Sequence, residues 1–440
     1  MKLLYWGSFL FLFSAASLYP QGKAVPDSLL LKASLNDCIN YALKNQPSIR
    51  QSVLNEEIAN EQIKGKLADW FPQLNFNYNF QHNYKLPTSI FQGNAVHFGV
   101  VNTSSGQFSL TQTIFNKDVL LASSTAHEVR AEAQETTTER KIGLVVNVSK
   151  AYYGVLLAQQ QINLIDEDIT RLKQSYKDAF LQYKSGTVDK TDYERASIAL
   201  NNAEAEKIRD EETLKSNYAA LKDLMGYPVN NELKLQYDTS RMENEIFIDT
   251  TQDVNYENRI EYQIEQTQLR LQKANLNYYN WSFLPSVSAF GNYNFTFQNN
   301  ELSKLYNQSY PSEYVGVQLS FPIFEGGKRI REIDQASLEV KRSEYDLDLL
   351  KSSISLEYAR SMANYKSSLS NFNATKQNRG LAKDVYKTID LQYKSGVKSY
   401  LDVITAETDL RTTEANYFNS LFQLLSSKLD VEKALGTVKY

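Results

Sequence analysis

The chain has 440 residues, 47 basic against 51 acidic side chains and a formal charge of −4. So mild an acidity offers no basic face for nucleic acid, and a lone cysteine, Cys38, excludes an internal disulfide. Mean hydropathy is −0.46, and after the first 20 residues nothing approaches the roughly 18 consecutive apolar residues of a transmembrane helix, so a membrane protein of this composition must span with strands.

Lys2 precedes an apolar run, Leu3–Phe13, followed by Ser14, Ala15, Ala16 and Ser17. A basic start, a short apolar core and small residues after it predict a secretory signal over residues 1–16, cleaved after Ala16. Cys38 is too far downstream to be a lipid attachment site.

A helix is predicted over about Leu35–Ala68, stopping at Pro72. Leu74–Tyr84, "LNFNYNFQHNY", then alternates with period two, the signature of a strand with unlike faces. Leu74, Phe76, Tyr78, Phe80 and Tyr84 share one parity, and Asn75, Asn77, Asn79, Gln81 and Asn83 the other. The wet side carries uncharged amides where a solvent-facing strand shows Lys, Glu and Thr. A polar loop over Lys85–Ser105 and a returning strand, "GQFSLTQTIF", complete the pair.

No proline occurs between Pro87 and Pro228, which a very long helix requires. Within it Leu144, Val148, Ala151, Val155, Ala158, Ile162, Ile165, Ile169, Leu172, Tyr176 and Ala179 step alternately by four and three, a sustained heptad seam. A helix from about Asp118 to Lys184 would be roughly 100 Å long. It ends at "KSG", and a second helix of about 35 residues is predicted after the turn.

The same order then recurs. "LQYKSG" stands at Leu181–Gly186 and at Leu391–Gly396, an offset of 210 that also pairs Asp192 with Asp402 and Gly226 with Gly436. Upstream, "DWFPQLNFNYNF" (Asp69–Phe80) matches "WSFLPSVSAFGNYNF" (Trp281–Phe295). A unit this long is no solenoid repeat; it divides the chain into a first repeat (17–226), a connector (227–254) and a second repeat (255–440). In the second, a helix over about Tyr256–Trp281 precedes a strand with Val287, Ala289, Tyr293, Phe295 and Phe297 on one face and Ser288, Asn292, Asn294 and Thr296 on the other. A loop over Asn299–Glu313 and the strand "YVGVQLSF" follow.

Taken singly, each strand also fits a half-buried soluble sheet. Four of them, in pairs that each run into a rod-like helix behind a signal, favour a membrane barrel. Four strands cannot close one, and unpaired backbone in lipid costs several kcal/mol per group. A barrel shared by three copies would have twelve strands around an aqueous lumen. Leu74, Phe76, Tyr78, Phe80, Tyr84, Tyr293, Phe295 and Phe297 would then face lipid, and Asn75, Asn77, Asn79, Gln81, Asn292 and Asn294 would line water.

This order, with "QYKSGTVDKTDYERA" and "QYKSGVKSYLDVITAETDL" at the two hairpins and "ALGT" after the second, resembles the TolC family of trimeric outer-membrane channel proteins. The resemblance covers nearly the whole chain after the signal. It implies an α+β membrane protein: a trimeric β-barrel in the outer membrane, continued by a coiled-coil α-helical barrel across the periplasm. It further implies a gated exit duct for efflux or type I secretion, docked to a periplasmic adaptor joined to an inner-membrane pump. Adaptor contact carries over to the tips, Gly186, Thr187, Val188, Gly396 and Val397. The periplasmic gate carries over to Asp402, Asp192, Thr191, Tyr393 and Lys398. Lys398 stands where the family's best-known member has arginine, and Thr405 where a second acidic residue would follow Asp402. Helix capping is the competing role for both aspartates, Asp189 and Ser399 each standing three residues before one. A periplasmic adaptor or coiled-coil scaffold is the alternative, but it would have one hairpin and no duplication.

"EGGKR" (Glu325–Arg329) lacks the spacing of a phosphate loop and reads as a strand-to-helix junction. His82, His97 and His127 are scattered, and no nucleophile–base arrangement can be assembled. No metal, cofactor or enzymatic role is therefore expected.

Overall fold

The computed structural model describes residues 32–187, 189–236 and 239–440. The expected signal lies outside the described residues.

The first repeat opens with two helices where one was expected: α1 (Leu35–Asn45) and α2 (Pro47–Leu67). Between them Gln46 is extended at φ −61°, ψ 122°. Pro47 forces the break, because its ring disfavours helical geometry in the residue before it and it sits well at the first position of a new helix. Strand β1 (Gln73–His82) follows, and Tyr84 lies beyond its end. The expected loop holds a small hairpin, β2 (Thr88–Phe91) and β3 (Asn94–His97), turned at Gln92 and Gly93, both at positive φ. Strand β4 (Asn102–Phe115) returns.

Helix α3 (Lys117–Lys184) has 68 residues, a rod of about 100 Å. All its seam residues from Leu144 to Ala179 are buried or half-buried, most of them against the antiparallel α4 (Lys190–Met225). Among its described residues the connector contains one short helix, α5 (Thr239–Asn244). Its strap is tied to the rods by Tyr152, whose hydroxyl donates to the Gln236 carbonyl at 2.7 Å, and by a parallel bridge between Ala33 and Leu235.

The second repeat runs α6 (Ile260–Asn280), β5 (Ser286–Asn299), β6 (Ser309–Ser320), α7 (Lys328–Lys394) and α8 (Tyr400–Leu435). Here too the expected loop is shorter than predicted, since β6 begins at Ser309. Gly326 and Gly327, at φ 63° and 85°, turn the chain from β6 into α7, the junction read from "EGGKR".

The four long strands form one antiparallel sheet in the order β1-β4-β5-β6. The two repeats therefore meet at β4 and β5, leaving β1 and β6 as open edges. The largest apolar core lies at mid-length of the rods, where Leu156, Leu221, Tyr365, Phe372, Tyr417 and Leu421 interlock beneath the connector.

Each repeat ends at a left-handed glycine, Gly226 at φ 64° and Gly436 at φ 70°. Each glycine butts against the opening helices of its own repeat: Gly226 against the Asn45 and Gln46 backbone, and Gly436 against Asn258. Gly436→Ala therefore has to relieve both a left-handed backbone and a collision with the Asn258 carbonyl, and should cost more than about 2 kcal/mol. Gly186→Ala has the same backbone problem at φ 75° in open space, so only about 1–2 kcal/mol is expected. Melting of the two variants in detergent, with the larger drop at Gly436, checks the difference.

Candidate functional site

The sheet sorts its side chains by register. Paired residues of adjacent antiparallel strands share a face, so Phe76, Phe108 and Tyr293 form one row, and Tyr78, Gly106 and Phe295 the next. Leu74, Phe76, Tyr78, Phe80, Tyr293, Phe295 and Phe297 all fall on this aromatic face. The rings are in contact, with centroids 4.7 Å apart for Phe76–Phe108 and 6.3 Å for Phe76–Phe295. The Phe295 ring covers Gly106, leaving no room for a Cβ there. Higher on this face the Ser104 hydroxyl donates to Tyr78 at 3.0 Å, and the Tyr78 and Tyr306 hydroxyls are 3.2 Å apart.

The other face carries Asn75, Asn77, Asn79, Gln81, Asn292 and Asn294. Gln107 donates to Asn292 at 3.0 Å, and Asn294 to Ser312 at 3.4 Å, two polar links between neighbouring strands. Tyr84, expected with the aromatic row, is exposed past the strand and turns its ring edge toward His82.

Three features of the sheet were missed. Phe290 lies on the amide face, over Gly316 and edge-on to Tyr314 at 6.2 Å. The period-two pattern marked it only as an interruption. Tyr310 pairs with Thr296 and so joins the amide face. Glu313 pairs with Tyr293 on the aromatic face; it fell within the segment read as loop.

At the far end of the rods, the two hairpin turns are near copies. Gly186 and Gly396 adopt φ 75° and 76°. The Thr187 and Val397 amides each donate back to a helix-end carbonyl, Gln182 and Gln392, at 2.9 Å. This 6→1 closure is what a glycine after the last turn permits. Val188 lies outside the described residues.

The two aspartates differ. Ser399 and Asp402 form a full capping box: the Ser399 hydroxyl donates to Asp402 at 2.7 Å, and its oxygen accepts from the Asp402 amide at 3.3 Å. Those bonds, with Lys398 at 3.6 Å, hold the Asp402 carboxyl below its usual range. The box expected at Asp189 and Asp192 is not formed. The Asp189 side chain makes no bond to the first-turn amides of α4, although a carboxylate could accept one without a proton of its own.

The expected gate residues sit together at the tip but do not all touch within one chain. Thr191 and Asp192 occupy the first turn of α4. The Tyr393 hydroxyl accepts from Gln182 on α3 at 3.3 Å, which ties the second hairpin to the first. Beside it Ala179, Ala196 and Tyr400 make a small core with Tyr176, Tyr193 and Tyr393. Of these, the sequence marked Tyr176 and Ala179 as seam and Tyr393 as gate, and it gave no sign that they meet.

Among the described residues, no three His, Cys, Asp or Glu side chains converge as metal ligands, and no helix is long and apolar enough to cross a membrane. What the described residues offer is a two-faced wall at one end and a paired set of tips at the other.

Known proteins share this design. The family model for outer membrane efflux proteins matches residues 38–227 and 257–437. Outer membrane protein TolC of Vibrio cholerae is 21% identical over 415 residues, covering 92% of this chain and 91% of that one. The alkaline protease secretion protein AprF of Pseudomonas aeruginosa is 24% identical over 438 residues, covering 92% of this chain and 83% of that protein. Among solved structures, CusC superposes with a TM-score of 0.76 at 20% identity, covering 96% of both chains. The outer membrane protein VceC of Vibrio cholerae gives 0.73 at 16%, over 91% of this chain and 96% of that one. With both repeats matched, the chain belongs to the outer membrane efflux protein family.

Proposed function

We propose that the protein is the outer-membrane exit duct of a tripartite efflux pump or a type I secretion system, conducting substrates passively from the periplasm to the exterior. One observation carries this reading: an open four-stranded sheet with one aromatic and one amide face continues directly into rods of about 100 Å. Lipid accounts for the aromatic face and a water-filled lumen for the amide face. A soluble scaffold accounts for neither, and its single hairpin would not be duplicated.

The open edges define the assembly. Among the described residues β1 pairs only with β4, and β6 only with β5, yet strand edges cannot stand bare in hydrocarbon. Pairing β6 of one copy with β1 of the next closes the wall, and three copies give a twelve-stranded barrel in the outer membrane. The hairpins then surround one periplasmic tunnel. Its tips, at Gly186–Thr187 and Gly396–Val397, meet the hairpins of a periplasmic adaptor joined to an inner-membrane pump. Asp402, Asp192, Thr191, Tyr393 and Lys398 cluster at the entrance, where three Asp402 carboxylates would favour cations.

The assembly is tested by light scattering in detergent, which should give the mass of three chains; a stable monomer or dimer would contradict the shared barrel. The faces are tested by charge. Tyr78→Arg should cost about 2–4 kcal/mol near the bilayer midplane, whereas Asn77→Arg should be tolerated and alter conductance. Equal tolerance at both positions would reverse the assignment. At the tip, Gly396 has no neighbour within 4 Å of a Cβ, so Gly396→Val strains only the left-handed turn, by about 1–2 kcal/mol. Trimers should still form while efflux complementation falls; wild-type complementation would remove the adaptor assignment.

A further inference from the structure

Above the tips, the helical seam is interrupted by charge. Asp168 and Arg171 on α3 meet Glu206 on α4 and Glu407 and Arg411 on α8. Arg171 Nε donates to Glu407 at 3.0 Å and its Nη2 to Asp168 at 3.3 Å. Arg411 donates to Glu206 at 3.0 Å and lies 3.8 Å from the other Asp168 oxygen. From α7, the Tyr386 ring faces the Arg171 guanidinium at 5.9 Å. The cluster thus draws on all four long helices; a second charged link between the hairpins, Lys150 to Asp430 at 2.6 Å, lies higher on the rods. The side chains of Asp168 and Glu407 are only 4% and 5% exposed.

The charges do not balance. Three carboxylates, Asp168, Glu206 and Glu407, share two guanidiniums. At the rim Glu167 stands 3.9 Å from Arg171, and Arg209 stands 3.6 Å from Glu206, which leaves the surplus in place; Asp210, next to Arg209, adds to it. The phenol of Tyr400 on α8 also bears on the site, as does Asp390 on α7, which is paired with Lys394 at 2.7 Å and so leaves the surplus unchanged. Two of the carboxylates, Asp168 and Glu407, are buried while Glu206 and Arg411 lie at the margin, and a cluster so placed with one carboxylate too many has room for one proton.

Resting on the duct reading above, we propose that this cluster is a proton-sensitive latch between the two hairpins of each protomer: one proton bound at Glu407 holds them together, and its loss lets them part. Sliding α7 and α8 away from α3 and α4 must break the Arg171–Glu407 and Arg411–Glu206 links, so parting of the hairpins and the charge state of the cluster are coupled through the same bonds.

The sign follows from linkage. Burial, then the nearby Asp168 charge, raises the Glu407 carboxyl to about 7, against the pull of Arg171 and Arg411. Asp168 is itself raised, chiefly by burial. Once the hairpins separate, Glu407 reaches water and returns toward an ordinary glutamate near about 4.3. The joined arrangement has the higher proton affinity, so it gains as pH falls through 7 and loses that gain as pH rises. Between pH 8 and pH 6 the ratio of joined to parted hairpins should change about tenfold per protomer.

Single-channel conductance of the trimer in planar bilayers at pH 6, 7 and 8 tests this. Wild-type conductance should rise from pH 6 to pH 8. Glu407→Gln, neutral at every pH, should stay at the low level throughout. Asp168→Asn removes the charge that raises Glu407 and should move the midpoint of the response to lower pH. Circular-dichroism melting verifies that both near-isosteric variants fold, and either alone suffices to decide. Wild-type conductance that is flat or falls over this range overturns the latch, as does a rise preserved in Glu407→Gln or an unmoved midpoint in Asp168→Asn. Wild-type protein that forms no pores at any pH overturns instead the duct reading beneath it.

Discussion

Backbone groups in hydrocarbon must be paired, and the architecture depends on that constraint. A chain that brings only four long strands, in the order β1-β4-β5-β6, ends on two edges with no partner of its own. Lipid cannot supply the missing hydrogen bonds, since each unpaired group there costs several kcal/mol. In the proposed trimer each copy caps its neighbour. The same need accounts for duplication: one repeat contributes two strands and one hairpin, and two repeats make a wall segment wide enough for three copies to enclose a lumen.

The duplicated ends show how the sheet and the rods are kept in step. Gly226 and Gly436 close their hairpins against the opening helices of their own repeats, fixing where each rod ends relative to the strands. The heptad seam in α3 then fixes how α4 lies along it. By contrast the tips have no such buttress: Gly186 and Gly396 have open space around them. Local stability should fall toward such an end, which suits a part that docks and moves.

Much of this was legible in the sequence because it repeats. A seam of eleven positions and a 210-residue offset average out local noise, and the strand faces follow from strict alternation. What repetition did not cover was misread. Pro47 breaks the first helix although its tract is rich in helix formers, because the constraint lies in the residue before the ring. The β2–β3 hairpin and the early start of β6 hide in polar, irregular sequence, and Glu313 went with them. Asp189 and Asp192 match the capping-box spacing, yet the Asp189 side chain makes no cap bond, and spacing alone does not show where a side chain turns. Asp168 and Arg171, Glu206, and Glu407 with Arg411 come from three distant stretches of the sequence, and only the packing of the helices reveals that they meet.

That meeting is energetically odd for a coiled coil. Apolar residues of similar volume would hold the hairpins together at least as well, since desolvating buried ions commonly cancels their attraction. They would also hold them permanently. The rods of α3 and α8 keep an apolar core at mid-length, around Leu156 and Leu421, where the wall has to stay sealed. Nearer the tips they bury charge, where the entrance of the proposed duct would have to open. An apolar contact has no state that a change of conditions can alter, whereas a carboxylate in surplus has two. The position of the cluster along the rods, below the sealed core and above the small tip core of Ala179, Ala196 and Tyr400, is where a reversible link can release the entrance without loosening the barrel above it.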